Sequence, residues 1–296
     1  MGEATFVAGQ CCYEVHDSCC VGSGRPFLIA NRLRTAELRV APGIGWTSTD
    51  RPCVEALAPA VRAFLAEAWL RDALLEHASV ASFSRFALEL LAVGAPSDLV
   101  DAAHQAASDE VRHARACFSL ASAYAGAELG PGPFAFGGPI ELGSDLAAVA
   151  ASAVKEGCVG ETLAAVQASV QLDGARDPAV QKALEEIAED EARHADLAWR
   201  FVAWAVRVGG AQVVQAVAAA FEEALAGVAP SMAEPEVDAA LVVAHGRATS
   251  EVLRVVFAET VEETIRPAMR LLVGEAGAPT RRRADVSSEA CREHVS

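Results

Sequence analysis

The pattern Asp-Glu-x-Arg-His occurs twice in this chain, as Asp109-Glu110-Val111-Arg112-His113 and as Asp190-Glu191-Ala192-Arg193-His194. A helix advances about 100° per residue, so residues three apart lie about 60° from one another on one face. Glu110 and His113 then present a carboxylate and an imidazole side by side, and Glu191 and His194 repeat the arrangement. These are donor types that hold a divalent cation. A lone Glu-x-x-His pair is commonly solvated or part of a helix cap. One copy of the longer pattern has a chance probability of roughly one in several hundred in a chain of this length, so two copies are a specific signal. Their surroundings are apolar as well. Leu184, Ile187, Glu191, His194, Ala198, Val202 and Ala205 share one helical face, and Ala103, Ala106, Glu110, His113, Cys117, Ala121 and Tyr124 share another. Each is a core stripe interrupted by one carboxylate and one imidazole.

A single glutamate precedes each motif at a matched position. Glu76 lies 18 residues before Gly94, and Glu156 lies 18 residues before Gly174. Glu76 interrupts a stripe of Trp69, Val80, Phe83 and Ala87; Glu156 interrupts Val149, Ser152, Leu163 and Val170. Four carboxylates and two imidazoles are then expected at one level of a helical core. Burying such charges costs several kcal/mol each unless they are compensated, and a pair of divalent cations would compensate them. Glu161 competes with Glu156 on the same segment, but on an α-helix it lies about 140° round from it. The duplication favours Glu156 and leaves Glu161 as an outer or shifting ligand. His77 points away from the Glu76 face, His104 and His245 have no companion motif, and Cys117 reads as a small core residue.

The helices that must carry these residues are legible from their punctuation. The first runs from Pro59 to Leu91 and stops at Gly94 and Pro96; the second starts at Ser97 as N-cap and ends at Tyr124 before Gly126. Residues 129–139, rich in Gly and Pro, cannot be helix. A third segment runs from near Ser144 to Leu172. A fourth begins at Asp177-Pro178 and ends at Gly209-Gly210. Two helical hairpins joined by one long connection occupy residues 53–210, the layout of a four-helix bundle with a single crossover. Residues 211–275 add helices over Ala211–Leu225 and Glu236–Leu272, with Pro230, Pro235 and Pro267 as breaks or edges. Residues 276–296 form a polar tail. Residues 1–52 show no helical period and read as a Cys- and Gly-rich tail or small appendage, with short strands at Phe27–Ala30 and Leu38–Val40.

Composition bounds the function. Of 296 residues, 52% are hydrophobic and 22% charged, which is globular rather than disordered. Forty acidic against 24 basic residues give a net charge of −16, which argues against a nucleic-acid partner. The mean hydropathy of +0.25 comes from Ala and Val. Apolar runs such as Ala116–Ala127 and Val208–Phe221 fall short of the roughly 18 residues of a spanning helix, so no membrane partner is expected. No secretory pattern is visible at the start, and the expectation is a cytoplasmic protein. Cys11-Cys12 and Cys19-Cys20, with His16 between them, could hold a thiophilic metal, but their spacing matches no standard zinc signature.

From Pro59 to Gly209, on the two Asp-Glu-x-Arg-His motifs and their partner glutamates, the chain resembles the ferritin-like dimetal-carboxylate superfamily. The motifs are similar to those of its oxygen-activating members, including bacterial multicomponent monooxygenases and the ribonucleotide reductase small subunit. The resemblance implies an all-α fold: a ferritin-like four-helix bundle with extra C-terminal helices. It implies Glu110, His113, Glu191 and His194 as metal ligands, with Glu76 and Glu156 as the single carboxylates of the partner helices. Asp109, Asp190, Arg112 and Arg193 would orient the imidazoles and balance charge. The implied cofactor is two Fe ions, with Mn as the alternative. The implied activity is that of an O2-activating diiron oxidase or oxygenase acting on a small organic substrate, with a ferredoxin or similar reductase as electron donor and a homodimer compatible. The alternative is a ferroxidase, iron-handling or peroxide-removing protein similar to manganese catalase. Ferritins often carry a Tyr seven residues after the first glutamate, where this chain has Phe83. That difference and the long additions at both ends favour an enzyme over a storage cage. A purely structural metal would not require duplicated Asp and Arg partners. The sequence does not identify which residues beyond the ligands would be catalytic.

Overall fold

Pro59 sits in the first turn of a helix because its fixed φ suits that turn and its missing N–H has no partner to lose there. Helix α1, Pro59–Ala92, ends where Gly94 turns left-handed with φ 68°, and α2, Ser97–Ala125, ends at Gly126 with φ 69°. The expected N-cap, Ser97, lies inside α2; Pro96 holds the cap position, and no side chain caps that end. The computed structural model describes residues 5–7, 10–12, 25–30, 32–40, 45–228 and 237–275.

The third helical segment is not a single α-helix. Helix α3, Leu146–Ala153, starts at Asp145, whose carboxylate accepts from Ala148 N at 3.0 Å. It runs directly into a π-helical segment, Val154–Glu161, and then into α4, Thr162–Gly174. Two glycines within this segment, Gly157 and Gly160, weaken the preference for regular α geometry. Helix α5, Pro178–Ala226, is capped by Asp177, which accepts from Ala179 N and Val180 N. The expected end at Gly209-Gly210 is a kink instead: Gly210 takes φ 66°, ψ −158°, and the helix continues beyond it.

The chain is all-α in its main body. Consecutive helices pack as hairpins, α1 on α2, and α3, the π segment and α4 on α5; α2 also packs on α5. One apolar cluster contains Phe83, Phe86, Phe201 and Phe221, and another contains Trp69, Phe118, Val180 and Leu184. On α2 the switch between clusters falls between Ala106 and Ala114, and on α5 between Ile187 and Leu197. Glu110, His113, Glu191 and His194 occupy those gaps. Stretches of α5 are long and apolar enough to cross a membrane by length and composition alone, but this helix also carries Glu191 and His194 inside the packed chain.

Short strands lie outside the helices: β1 (Thr5–Val7) pairs with β2 (Gln10–Cys12), and β3 (Leu28–Ile29) with β4 (Arg32–Leu33). β5 (Leu38–Val40) crosses to the interhelical connection, pairing antiparallel with β6 (Leu129–Pro131). The stretch read from sequence as a tail or appendage is packed on the helices from Arg25 onward: Phe27 is fully buried, and Ser48 N donates to Ser119 Oγ at 2.6 Å. The C-terminal part, expected as one helix, divides into α6 (Ala239–Ala244), α7 (Ser250–Thr260), a second π segment (Val261–Ile265) and α8 (Arg266–Glu275). Gly246, with φ 81°, makes the break, and Pro267 lies in the first turn of α8 rather than ending a helix. The segment 229–236, with Pro230 and Pro235, and the tail 276–296 lie outside the described residues.

Gly157 sets how closely the π segment approaches α5, since a Cβ there would lie 2.3 Å from Ala198 Cβ. Gly157→Ala is expected to lose about 1–3 kcal/mol in urea unfolding. Gly138→Ala, with nothing within 4 Å of the added carbon, is expected to stay within about 0.5 kcal/mol. Equal effects of the two would contradict the packing described.

Candidate metal centre

Glu110 and Glu191 face each other from α2 and α5, each between two imidazoles. His113 Nδ1 lies 3.5 Å from Glu110 Oε2 and 3.7 Å from Glu191 Oε1. His194 Nδ1 lies 3.3 Å from Glu110 Oε1 and 3.4 Å from Glu191 Oε2. Each motif glutamate thus offers one oxygen to each histidine. Glu76, on α1, stands on the His113 side, with Oε2 4.0 Å from Nδ1. Two donor groups result, Glu76–Glu110–His113–Glu191 and Glu161–Glu191–His194. Within each, the ligand atoms lie within 4.8 Å of one another, and every member is buried.

The far nitrogens of the imidazoles are held crosswise. His113 Nε2 is 2.9 Å from Asp190 Oδ2, and His194 Nε2 is 3.4 Å from Asp109 Oδ2. The Asp of each motif therefore orients the His of the other and keeps both Nδ1 atoms turned inward. Arg112 joins the motifs, reaching Asp109 and Asp190 at 2.8 Å each and Glu186 at 2.9 Å. Arg193 pairs with Asp190 and lies 3.6 Å from Asp109. These are the partners expected to orient the imidazoles and balance charge.

Glu156 is not among the converging carboxylates. It is partly buried, with Oε2 3.1 Å from Arg25 Nε and Oε1 3.4 Å from Arg85 Nη2. Glu161 takes the expected place, fully buried, in one donor group with Glu191 and His194. The π segment is the physical reason. On an α-helix, five residues carry Glu161 about 140° away from the Glu156 direction. A π-helix closes i→i+5 hydrogen bonds, and its wider turns rotate everything downstream. The stripe read through Val149, Ser152 and Glu156 already fails within α3, before the π segment: Val149 is buried and Ser152 exposed. The other five expected residues, Glu76, Glu110, His113, Glu191 and His194, come together.

The interior of this cluster is unsatisfied by protein alone. Among the described residues, fourteen buried side-chain polar atoms have no hydrogen-bond partner, and eight of them belong to Glu76, Glu110, His113, Glu161, Glu191 and His194. Native proteins rarely leave such atoms unpaired, and eight around one point form a donor set that could hold metal ions. The electrostatics agree. Burial, then Glu110 and Glu191, push Glu76 well above the usual carboxylate range, and burial with Glu191 does the same to Glu161. At Glu110 burial is outweighed by His113 and His194, which bring it down to about 2. Burial also opposes charge on His113, yet Asp190 and Glu110 raise it to about 9; His194 is raised well above its ordinary value by Asp109, Glu110 and Glu191. Without metal, protons supply the positive charge that the carboxylates require.

A cavity of 20 Å³ adjoins the cluster, bounded by Glu76, Glu191, Trp69, Asp72, Cys117 and Gln171. Trp69 Nε1 and Gln171 Nε2 are buried there without a partner. Arg247, from the turn after α6, donates to Asp72 Oδ2 at 2.5 Å and lies 5.0 Å over the Trp69 ring. Beside it, Tyr124 Oη and His245 Nδ1 are 2.8 Å apart. Sequence reasoning missed Asp72 and Gln171 in this lining, and Arg247 behind Asp72, because they belong to no repeated pattern. Phe83 packs against His194 with ring centroids 4.8 Å apart. Of the cysteines suggested as a thiophilic site, Cys11 and Cys12 are described as backbone in β2, and Cys19 and Cys20 lie outside the described residues. Comparison with protein-family models, curated proteins and solved structures gave no match to this chain.

The folded state holds a proton on His113 more tightly than the unfolded chain, so its contribution to stability is complete below pH 6.5 and lost as pH rises through about 9. Raised Glu76 and Glu161 act in the same sense, since their ionisation penalises only the folded state. Thermal unfolding of metal-free protein is therefore expected at lower temperature at pH 9 than at pH 6.5. Excess Mn²⁺ should remove or reverse that trend, because binding requires the deprotonated ligands. The same downward trend with and without Mn²⁺ would contradict the assignment.

Proposed function

We propose that this protein is a non-haem dimetal oxidoreductase, built as a ferritin-like four-helix bundle and holding two iron ions between its helices. One observation carries the reading: eight unpartnered buried donor atoms fall in two groups that share Glu191, with Glu110 between the imidazoles of His113 and His194. Glu76 and Glu161 would each serve one position, and His113 and His194 would each supply Nδ1. Two bound iron ions would supply the electrons for reduction of O2 in two-electron steps.

The rest of the chain has distinct tasks. Asp109 and Asp190 fix the imidazole orientation. Phe83 and the two apolar clusters keep bulk water from the ligands. Trp69 and Gln171 offer hydrogen-bond donors to a small oxygen-bearing molecule in the adjoining cavity. Solvent reaches the outer side of Arg112 in a groove of 190 Å³ lined also by Arg115, Lys182 and Glu186. Arg112 is one hydrogen bond from Asp190, which is one from His113. A ferredoxin-like donor docked there would be connected to the centre by that chain. A cytoplasmic setting, with such donors at hand, belongs to the same proposal.

The organic substrate remains small in this reading. A cavity of 20 Å³ has room for about one water molecule, so a larger substrate would need the Asp72–Arg247 wall to open. That size favours a second reading, in which the reactant is only O2, peroxide or ferrous iron.

The test is metal content and O2 uptake of protein loaded anaerobically with Fe²⁺. About two irons per chain and O2 uptake that stops near stoichiometry until a reductant is added are expected of the oxidoreductase. Oxidation of many Fe²⁺ per chain would move the reading to iron handling, and rapid disproportionation of H2O2 by Mn-loaded protein to peroxide removal. Glu191→Ala should reduce bound metal to below one ion per chain. Unchanged metal content in that variant would overturn the proposal.

A further inference from the structure

The π segment that brings Glu161 to the centre is an unfavoured geometry, since π turns are rare and occur mostly as single-turn interruptions of α-helices. Something outside it must hold it. Glu156 lies near its start and Glu161 ends it. Two arginines from different parts of the chain seize Glu156: Arg25 from the segment before β3, 131 residues away, and Arg85 from α1. The Arg25 side chain is only 2% exposed and the Glu156 side chain 12%. Both arginines are themselves anchored. Ser79 Oγ donates to Arg25 O at 2.9 Å, and Arg85 Nη1 donates to Leu28 O at 2.8 Å. The Arg25 guanidinium lies 4.1 Å from the Phe86 ring centroid and 5.1 Å from that of Phe83, whose ring packs on His194. The guanidinium of this clamp therefore reaches the His194 side of the centre through Phe83, while its backbone anchor, Ser79, lies on α1 three residues from Glu76.

We infer that Arg25 and Arg85, by pinning Glu156, are positioning residues for Glu161 and govern occupancy of the metal position that Glu161 and His194 serve. The inference rests on the dimetal reading above and deepens it. With Glu156 held outward, the segment keeps its π turns and Glu161 points inward. With Glu156 released, the segment can relax toward α geometry, in which each residue after Ala153 turns further about the axis and Glu161 is rotated away from its present direction relative to α3. The other metal position, served by Glu76, Glu110, His113 and Glu191, needs nothing from this segment.

The test is titration of full-length metal-free protein with Co²⁺, followed by its visible absorption and by calorimetry. Wild type is expected to bind about two ions. In Glu156→Gln, and in Arg25→Gln/Arg85→Gln, one ion should bind as in wild type and the other about 10- to 100-fold more weakly. Glu161→Gln should show the same selective loss. Because the clamp acts through Glu161, Glu156→Gln/Glu161→Gln should be no weaker than Glu161→Gln alone. Equal weakening of both ions, or additive losses in the double variant, would overturn the inference while leaving the centre intact. If the arginine double variant does not fold, the isosteric Glu156→Gln series and Arg85→Gln alone decide the question by the same criteria. Failure of wild type to bind Co²⁺ would overturn the dimetal reading itself and the clamp with it.

Discussion

Four carboxylates placed between two apolar clusters dominate the energetics of this protein. Each would cost several kcal/mol to bury uncompensated, and among the described residues no lysine or arginine forms an ion pair with Glu76, Glu110, Glu161 or Glu191. The chain answers from outside, where Asp109, Asp190, Arg112 and Arg193 close a ring around the imidazoles. Inside, only protons or metal ions can complete the balance. The site is thus expensive for the metal-free fold, and under the proposed reading bound metal ions would offset that cost.

Positioning follows from that constraint. The motif repeats on α2 and α5 are related in arrangement as well as in sequence, so that each Asp supports the opposite histidine. This crosswise linkage ties the two helical hairpins together through side chains as well as through packing. The glutamates of α1 and the third segment complete the set, but by unequal means. Glu76 arrives on a regular helix, whereas Glu161 arrives on a π segment held by a carboxylate that looks, by sequence, like the ligand itself.

Much of this was legible in the sequence. The stripes through Glu110 and Glu191 are buried along their whole length, because α2 and this part of α5 keep the 3.6-residue period that the reading assumed. The third segment was not legible, since a π segment breaks the period without a proline to mark it. Gly157 and Gly160 were the available signal. Arg25 and Arg247 were invisible for a different reason. Their partners, Glu156 and Asp72, lie 131 and 175 residues away, and no local pattern encodes such a pairing. The helix break at Gly246 likewise depends on tertiary packing, where its Cα comes too close to Val180 and Trp69 for a side chain.

The central claim is that one cluster holds two metal ions sharing carboxylates. Electron paramagnetic resonance of protein loaded with Mn²⁺ to saturation tests it most directly. Ions that share Glu110 and Glu191 should give the spectrum of an exchange-coupled pair, absent when loading stops well below one ion per chain. A spectrum of isolated Mn²⁺ at every loading, or no bound Mn²⁺, would contradict the account.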